Sequence, residues 1–347
     1  MRKKLLVFAP HPTDATSFYR AYGPLSVLTR QYDFEMQVGG EVNWSVLCFV
    51  DALFLQRPWN ATHLNIIKMA KSNNKKVWVD YDDDLFAVPF ENRAYPLYSQ
   101  KSVRDIVVSM LGIADFVTVS TKALKERMVQ VLLAAFGENA NTDKVKVVPN
   151  AYNEMFAKDR REVKAQSKQL LWRGSNTHDK DLMLYTSALK ETYKKHMEEW
   201  EINFIGQPFW YTVEVMTSIP NLPQKRLFLT KALDHADYWR YLNRLNPALV
   251  FVPLWDCAFN KSKSNIAWIE GLHGGAACLA PDWEEWRRPG IINFKNQQEF
   301  ATKLDAVLKG EVDTLKLYHE GWEYVQDVLT LKKVNEKRME ILQQMWD

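Results

Sequence analysis

Cysteine is scarce: Cys48, Cys257 and Cys278 are the three in 347 residues, and none forms a CxxC pair. That spacing offers neither a disulfide framework nor zinc-ligand pairs, and the apolar surroundings predict buried free thiols in a reducing compartment. Long apolar runs are also lacking, so nothing approaches the roughly 20 residues of a membrane-spanning helix. The N-terminal MRKKLLVFAP is basic and then apolar. Its apolar run covers only residues 5–9, too short for the hydrophobic region of a secretory signal, and it reads as a first buried strand. A soluble cytoplasmic protein is expected. Charge of one sign is missing too: 45 Lys and Arg against 42 Asp and Glu give a net charge of +3. Short basic runs at 71–76 and 160–168 suit a solvated surface, and nothing in the balance demands nucleic acid, although a local basic cleft is compatible with any net charge. No GxGxxG follows the first apolar run, which argues against a dinucleotide-dependent oxidoreductase. No fixed-period repeat and no low-complexity stretch occurs.

What is present is an ordinary globular composition, 47% apolar and 25% charged, with 13 Trp expected mainly in core and interdomain packing. The length suits two domains of about 150–170 residues each. Short apolar runs at 5–9, 51–55, 77–80, 116–120 and 145–148 read as strands. Amphipathic stretches at 24–30, 61–72, 99–111 and 122–136 read as the helices between them. This alternation predicts βαβ units and a parallel sheet. A polar, charge-rich stretch at 154–168 has no core pattern and marks the boundary. Beyond it, strands at 169–172, 201–205, 248–252 and 276–279 alternate with helices at 178–193 and 264–273, and the last 45 or so residues look helical. The predicted fold class is α/β: a Rossmann-like acceptor-side domain over 1–155 and a Rossmann-like donor domain over 156–325. A C-terminal helix over 326–347 is expected to pack back on the first domain. Ligands of open α/β sheets sit beyond the carboxyl ends of the strands, so the residues there bear the closest reading.

The most informative segment is 259–280, FNKSKSNIAWIEGLHGGAACLA. Lys263 and Glu270 are seven positions apart, which on a continuous helix puts them near one face and about 10 Å apart along the axis. Ser262 or Ser264 is a candidate cap, and the helix N-terminus with Lys263 beside it favours an anion such as a diphosphate. A carboxylate two turns on can accept from ribose hydroxyls. Gly274-Gly275 ends the helix and lets the next strand return.

The pattern K-S-N-x-x-W-x-E, followed by glycine and a strand ending in Ala-Pro, resembles the C-terminal-domain signature of retaining GT-B glycosyltransferases. The resemblance implies ribose binding by Glu270 and diphosphate binding by Lys263, with Ser264 and Asn265 on the donor side. A second family glutamate, eight positions upstream and directed at the sugar, is replaced by Ser262, leaving Asp256, Asn260 and Lys261 as sugar candidates. Three further blocks are similar in the same order: ADFVTVST at 114–121, VVPNAY at 147–152 and LWRGSNTH at 171–178. The last implies donor contacts from Gly174, Ser175 and His178. The arginine usual after that glycine is Ser175 here, with Arg173 two positions away. A nucleoside-diphosphate sugar is the implied co-substrate, transferred with retention to a hydroxyl acceptor, and no cofactor is required. The acceptor is a glycan, or a hydroxylated DNA base as in some viral members. A GT-B-fold nucleotide-sugar epimerase and a non-catalytic sugar-nucleotide- or glycan-binding protein are the competing readings.

The first domain carries polar groups after its strands. His11, Asp14, Ser17, Tyr19 and Arg20 follow the first, Gln56 and Arg57 the second, and Asp80-Tyr81-Asp82-Asp83-Asp84 the third. His11 is a candidate to stabilise the leaving group. Arg20 and Arg57 are candidates for phosphate or acceptor contacts through bidentate bonds, or for structural pairing with the acidic run. Clustered carboxylates suit a hard cation, as in the Asp-x-Asp site of GT-A enzymes. They equally suit an acceptor hydroxyl, with Asp82 and Asp83 aimed into the cleft, or loop capping. GT-B enzymes generally use helix N-termini and basic groups in place of a metal, so no metal site is expected.

Overall fold

The computed structural model describes residues 2–9, 14–31, 34–39, 47–154 and 163–347. His11 and the expected boundary at 155/156 lie outside them. Among the described residues, twelve strands form two six-stranded parallel sheets. The first contains β1 (Lys3–Phe8), β2 (Phe34–Gly39), β3 (Ala52–Gln56), β4 (Lys76–Tyr81), β5 (Phe116–Val119) and β6 (Val145–Val147), in the order β2-β1-β3-β4-β5-β6. The second contains β7 (Ser167–Gly174), β8 (Glu201–Gly206), β9 (Leu227–Thr230), β10 (Pro247–Phe251), β11 (Ala277–Pro281) and β12 (Ile291–Phe294), in the order β12-β11-β10-β7-β8-β9. Central strands such as β3, β10 and β11 are buried at every position, because helices cover both faces; this is why they appear as unbroken apolar runs.

The two sheets share a core. One continuous apolar cluster runs from Val7, Phe54 and Trp78 of the first sheet through Val148 and Tyr152 to Leu171 and Val250 of the second and Trp268 of the helix Ile266–Gly274. Separate clusters cover the opposite faces. The crossover is fixed by backbone: Tyr152 N–H donates to Leu329 O (2.8 Å) and Leu331 N–H to Tyr152 O (2.8 Å). Tyr152 also stacks on His273, with ring centroids 3.7 Å apart.

The C-terminal region is two helices, Thr314–Val328 and Leu331–Trp346, broken where the Thr330 side chain accepts from Lys333 N–H. The second lies on the first half of the chain: Asn335 Nδ2 donates to Pro24 O (3.1 Å), and Trp346 packs on Phe34 with centroids 5.2 Å apart. The thiol expectation needs correction, since Cys48 is exposed, Cys257 half-buried and only Cys278 buried. Cys48 sits in a turn after Leu47. Among the described residues no helix is long and apolar enough to cross a membrane.

Candidate functional site

All strands of a parallel sheet end on one side, and the two sets of ends face each other here. Between them lies a cavity of about 620 Å³ lined from the ends of β3, β4, β7, β8 and β10 and from the start of the Ile266–Gly274 helix. Of the sequence candidates, Arg20, Arg57, Asp82, Asp83, Gly174, Ser175, His178, Lys263, Ser264 and Glu270 line it. Asn265 does not. It is buried, and its Nδ2 donates to Glu285 O (3.3 Å).

On the first-domain wall the acidic run is shared among cations. Arg57 binds Asp82 bidentately, Nε to Oδ1 at 2.9 Å and Nη2 to Oδ2 at 2.6 Å, and its Nη2 lies 3.5 Å from Asp83. Arg57 holds φ at +48°, in the left-handed region, with its N–H on Asp80 O (2.7 Å). Such strain costs of order 1–3 kcal/mol and clusters at functional sites. Asp83 reaches across the cleft to Lys263 Nζ (3.3 Å). Burial alone raises its carboxyl, but Lys263 and Arg57 together outweigh that and hold it below its ordinary value. Asp84 is turned away, bound to Arg127 (3.0 Å). With each carboxylate committed to a cation, the run does not converge on one point. Among the described residues no three His, Cys, Asp or Glu side chains are grouped to hold a metal.

Arg20 is not available for phosphate. It is buried and committed to Asp80 (2.9 and 2.7 Å), Val148 O (2.7 Å) and Asn150 Oδ1 (3.1 Å), because this guanidinium must be paired where water cannot reach it. Asn150 passes the connection on, donating to Ser264 Oγ (2.8 Å) beside Lys263.

On the second-domain wall the local geometry differs from the simple helical reading. The helix begins at Ile266, so Lys263 lies in the loop before it and not two turns below Glu270 on one face. Neither serine caps it: Ser262 Oγ donates to Ala258 O, Ser264 Oγ accepts from Asn150, and Asn265 at the N-cap makes no side-chain capping bond. The first turn, with Ile266 and Ala267 on the cavity, is therefore uncapped by any side chain. Lys263 is also seated over the Phe259 ring, 4.4 Å from its centroid. The helix ends at Gly275 with φ +89°. Of the sugar candidates, Asp256 and Lys261 pair with each other at the surface (2.6 Å), and neither lines the cavity.

Glu270 is a buried hub. Its Oε1 accepts from Tyr19 OH (2.6 Å) across the cleft, its Oε2 accepts from Tyr238 OH (2.9 Å), and Arg173 Nε pairs with Oε2. Burial first, and the Glu270 charge second, push both phenols well above their ordinary values, so they stay donors. Oε1 carries one bond and keeps acceptor capacity for one further hydroxyl. Tyr19 sits on a short π-helical segment, Phe18–Tyr22, that places it and Arg20 in succession, one reaching the other domain and one its own sheet. Tyr238 had no signal of its own in the sequence and Tyr19 only its position after a strand, whereas Arg173, a candidate for the second phosphate contact, lies within β7 and pairs instead with Glu270.

The loop after β7 is tight. A Cβ on Gly206, which has φ +102°, would stand 2.2 Å from Gly174 O, and one on Gly174 would stand 2.8 Å from the Trp172 ring and 3.2 Å from His178 Cδ2. His178 Nδ1 lies 2.7 Å from Asp181 Oδ2; Asp181, buried, also accepts from Trp255 N–H (3.0 Å) and Asn260 Nδ2 (2.7 Å). Asn260 is thus committed to Asp181. Asp181 escaped the sequence reading because it looks like an ordinary first-turn helix acid.

The fold defined by these two facing parallel sheets is GT-B, the architecture that the resemblance implied. No protein-family model matches the sequence, and no curated protein sequence matches it. Solved structures do match over the whole chain. HepE from Anabaena, in complex with UDP and glucose, superposes with a TM-score of 0.63 at 13% identity, covering 99% of this chain and 100% of that one. A Rickettsia africae glycosyltransferase gives 0.63 at 12% identity, covering 99% and 98%. A UDP-forming α,α-trehalose-phosphate synthase from Burkholderia vietnamiensis gives 0.65 at 10% identity, covering 99% and 100%.

Proposed function

We propose that this chain transfers a sugar from a nucleoside-diphosphate sugar to an acceptor hydroxyl with retention of configuration. The observation that carries the reading is the pairing of walls across one cavity. Lys263 and an uncapped helix start stand on one side, and Asp83, Asp82 and Arg57 stand on the other. The full-length likeness to structures that include one holding UDP and glucose supports it. In this reading Lys263 and the first-turn N–H groups bind the diphosphate, Ser175 and His178 meet it from the β7 loop, and Oε1 of Glu270 accepts from a ribose hydroxyl. Asp83 positions the acceptor.

The reaction needs no covalent protein intermediate. The bond from the anomeric carbon to the diphosphate oxygen breaks as charge builds on the diphosphate, where Lys263 and the helix N-terminus stabilise it. The acceptor oxygen bonds to the same face of the anomeric carbon, and its proton passes to a diphosphate oxygen. The acceptor hydroxyl belongs to a glycan or to a hydroxylated DNA base, and salt-sensitive binding of DNA would favour the second. Mass spectrometry of products from nucleotide-sugars incubated with glycan and hydroxylated-DNA acceptors tests this, with NMR of the new anomeric proton. A retained glycoside is expected. An isomerised free donor would instead identify an epimerase, and nucleotide-sugar binding without any product a binding protein.

A further inference from the structure

The cavity lining carries four arginine and lysine side chains against five carboxylates, so with its histidines neutral it is net negative. Arg20, one of the four, is already matched by Asp80 behind the wall. A donor diphosphate adds two more negative charges, and close like charges without compensation are strongly unfavourable. Two histidines line the cavity: His235, whose ring packs on Phe18 (centroids 4.2 Å apart) with Nε2 3.4 Å from Asp14 O, and another beside the β7 loop, a group that can supply a positive charge on demand.

That group is His178. Asp181 accepts only, so its Oδ2 at 2.7 Å places a proton on Nδ1 of the ring. Trp255 N–H and Asn260 Nδ2 hold the other carboxylate oxygen, which fixes the ring's orientation. In the neutral ring Nε2 is then a lone pair, the wrong polarity for a phosphate oxygen. Protonated, Nε2 becomes a donor, and the imidazolium stands between two anions. The ring edge bearing Nε2 lies by Gly174, where any Cβ would crowd Cδ2 at 3.2 Å. Of the other charges facing it, Asp83 across the cleft attracts an imidazolium and is shared with Lys263 and Arg57. Asp179 and Lys180 on its own helix are taken by Arg93 (2.8 Å) and Glu91 (3.5 Å). Arg173 is taken by Glu270.

We propose that binding of the donor diphosphate protonates His178, which then donates from Nε2 to a phosphate oxygen, and that Asp181 is the positioning residue that makes this possible. The inference rests on the donor-site reading and names a ligand of its phosphates. The proton comes from solvent, and no covalent bond changes.

Calorimetric titration with uridine-, guanosine- and adenosine-diphosphate glucose is the test, run in two buffers of different ionisation enthalpy with a chelator and again with Mg²⁺. The diesterified phosphates of these donors do not titrate near neutrality, so proton uptake reports on the protein. Uptake approaching one proton per donor is expected near pH 8, with affinity rising up to about tenfold per pH unit as pH falls. His178→Gln, at a partly exposed position, should abolish the uptake and flatten that pH dependence. Asp181→Asn should reduce uptake and shift the ring ¹⁵N resonances away from the Nδ1–H tautomer. Donor binding without proton uptake, uptake unchanged in His178→Gln, or binding that instead requires Mg²⁺ would overturn the inference and leave the donor site standing. Failure of the wild type to bind any of the three donors would overturn the donor-site reading itself.

Discussion

Replacing Asp83 by Asn should tighten donor binding while slowing transfer. Asp83 holds Lys263 at 3.3 Å, so a diphosphate must compete with a carboxylate for the same ammonium. Two unit charges at that distance interact by about 5 kcal/mol at an effective dielectric constant of 20 and about 1 kcal/mol in bulk water. Lys263 is 16% and Asp83 25% exposed, so water reaches both and the lower end applies, about 1–2 kcal/mol. Released to the donor, that energy corresponds to about five- to thirtyfold tighter binding. Because Lys263 and Arg57 hold the Asp83 carboxyl below its ordinary value, the pair is whole at neutral pH and is lost only as pH falls through that lowered range. The gain should therefore be full at pH 7 and shrink in acid. Turnover should fall in the same variant, since the acceptor loses its carboxylate. Calorimetry of donor binding beside steady-state rates gives both numbers, and the Lys263→Met background should erase the gain. Unchanged or weaker donor affinity in a folded Asp83→Asn protein would refute the reasoning.

Arg20→Met should destabilise the fold by about 3–5 kcal/mol in urea, because it leaves Asp80, 2% exposed, without its bidentate partner. A loss below 1 kcal/mol would contradict the buried-strut role. Glu285→Gln should do the opposite, and only at high pH. Burial raises that carboxyl from 4.5 to about 7, so its ionisation costs the folded state progressively as pH climbs between those values. The variant should gain up to about 3 kcal/mol at pH 8 and nothing at pH 4, read as Tm against pH. A pH-independent shift would argue against it.

Much of the architecture was legible because central parallel strands are buried on both faces and read as plain apolar runs. The strands that escaped, β2, β9 and β12, all lie at sheet edges among the described residues, where burial is incomplete. Phe34–Gly39 interleaves Glu35 and Gln37 with its apolar residues, and Leu227–Thr230 is only partly covered. The His235–Leu245 helix was missed although Asp234 caps it from Asp237 N–H, a signal the sequence carries. In the site, Lys263, Glu270 and the β7 loop were visible as local pattern. Their partners were not. Tyr19 to Glu270 spans 251 positions and Arg20 to Asp80 spans 60, and no spacing rule anticipates contacts made by topology. Lys263 was recognised by its chemistry but misplaced geometrically, because an uncapped loop precedes the helix that periodicity alone would have extended.

The central claim is that Lys263 and the helix start beside it hold a donor diphosphate whose release is the chemical step. Liberation of nucleoside diphosphate from a panel of nucleotide-sugars, with acceptor present, measures it directly in wild type and in Lys263→Ala. The account predicts release for at least one donor, and a rate about 10²–10³-fold lower in the folded variant, as loss of one preorganised transition-state contact costs. Equal rates in the two proteins would contradict it.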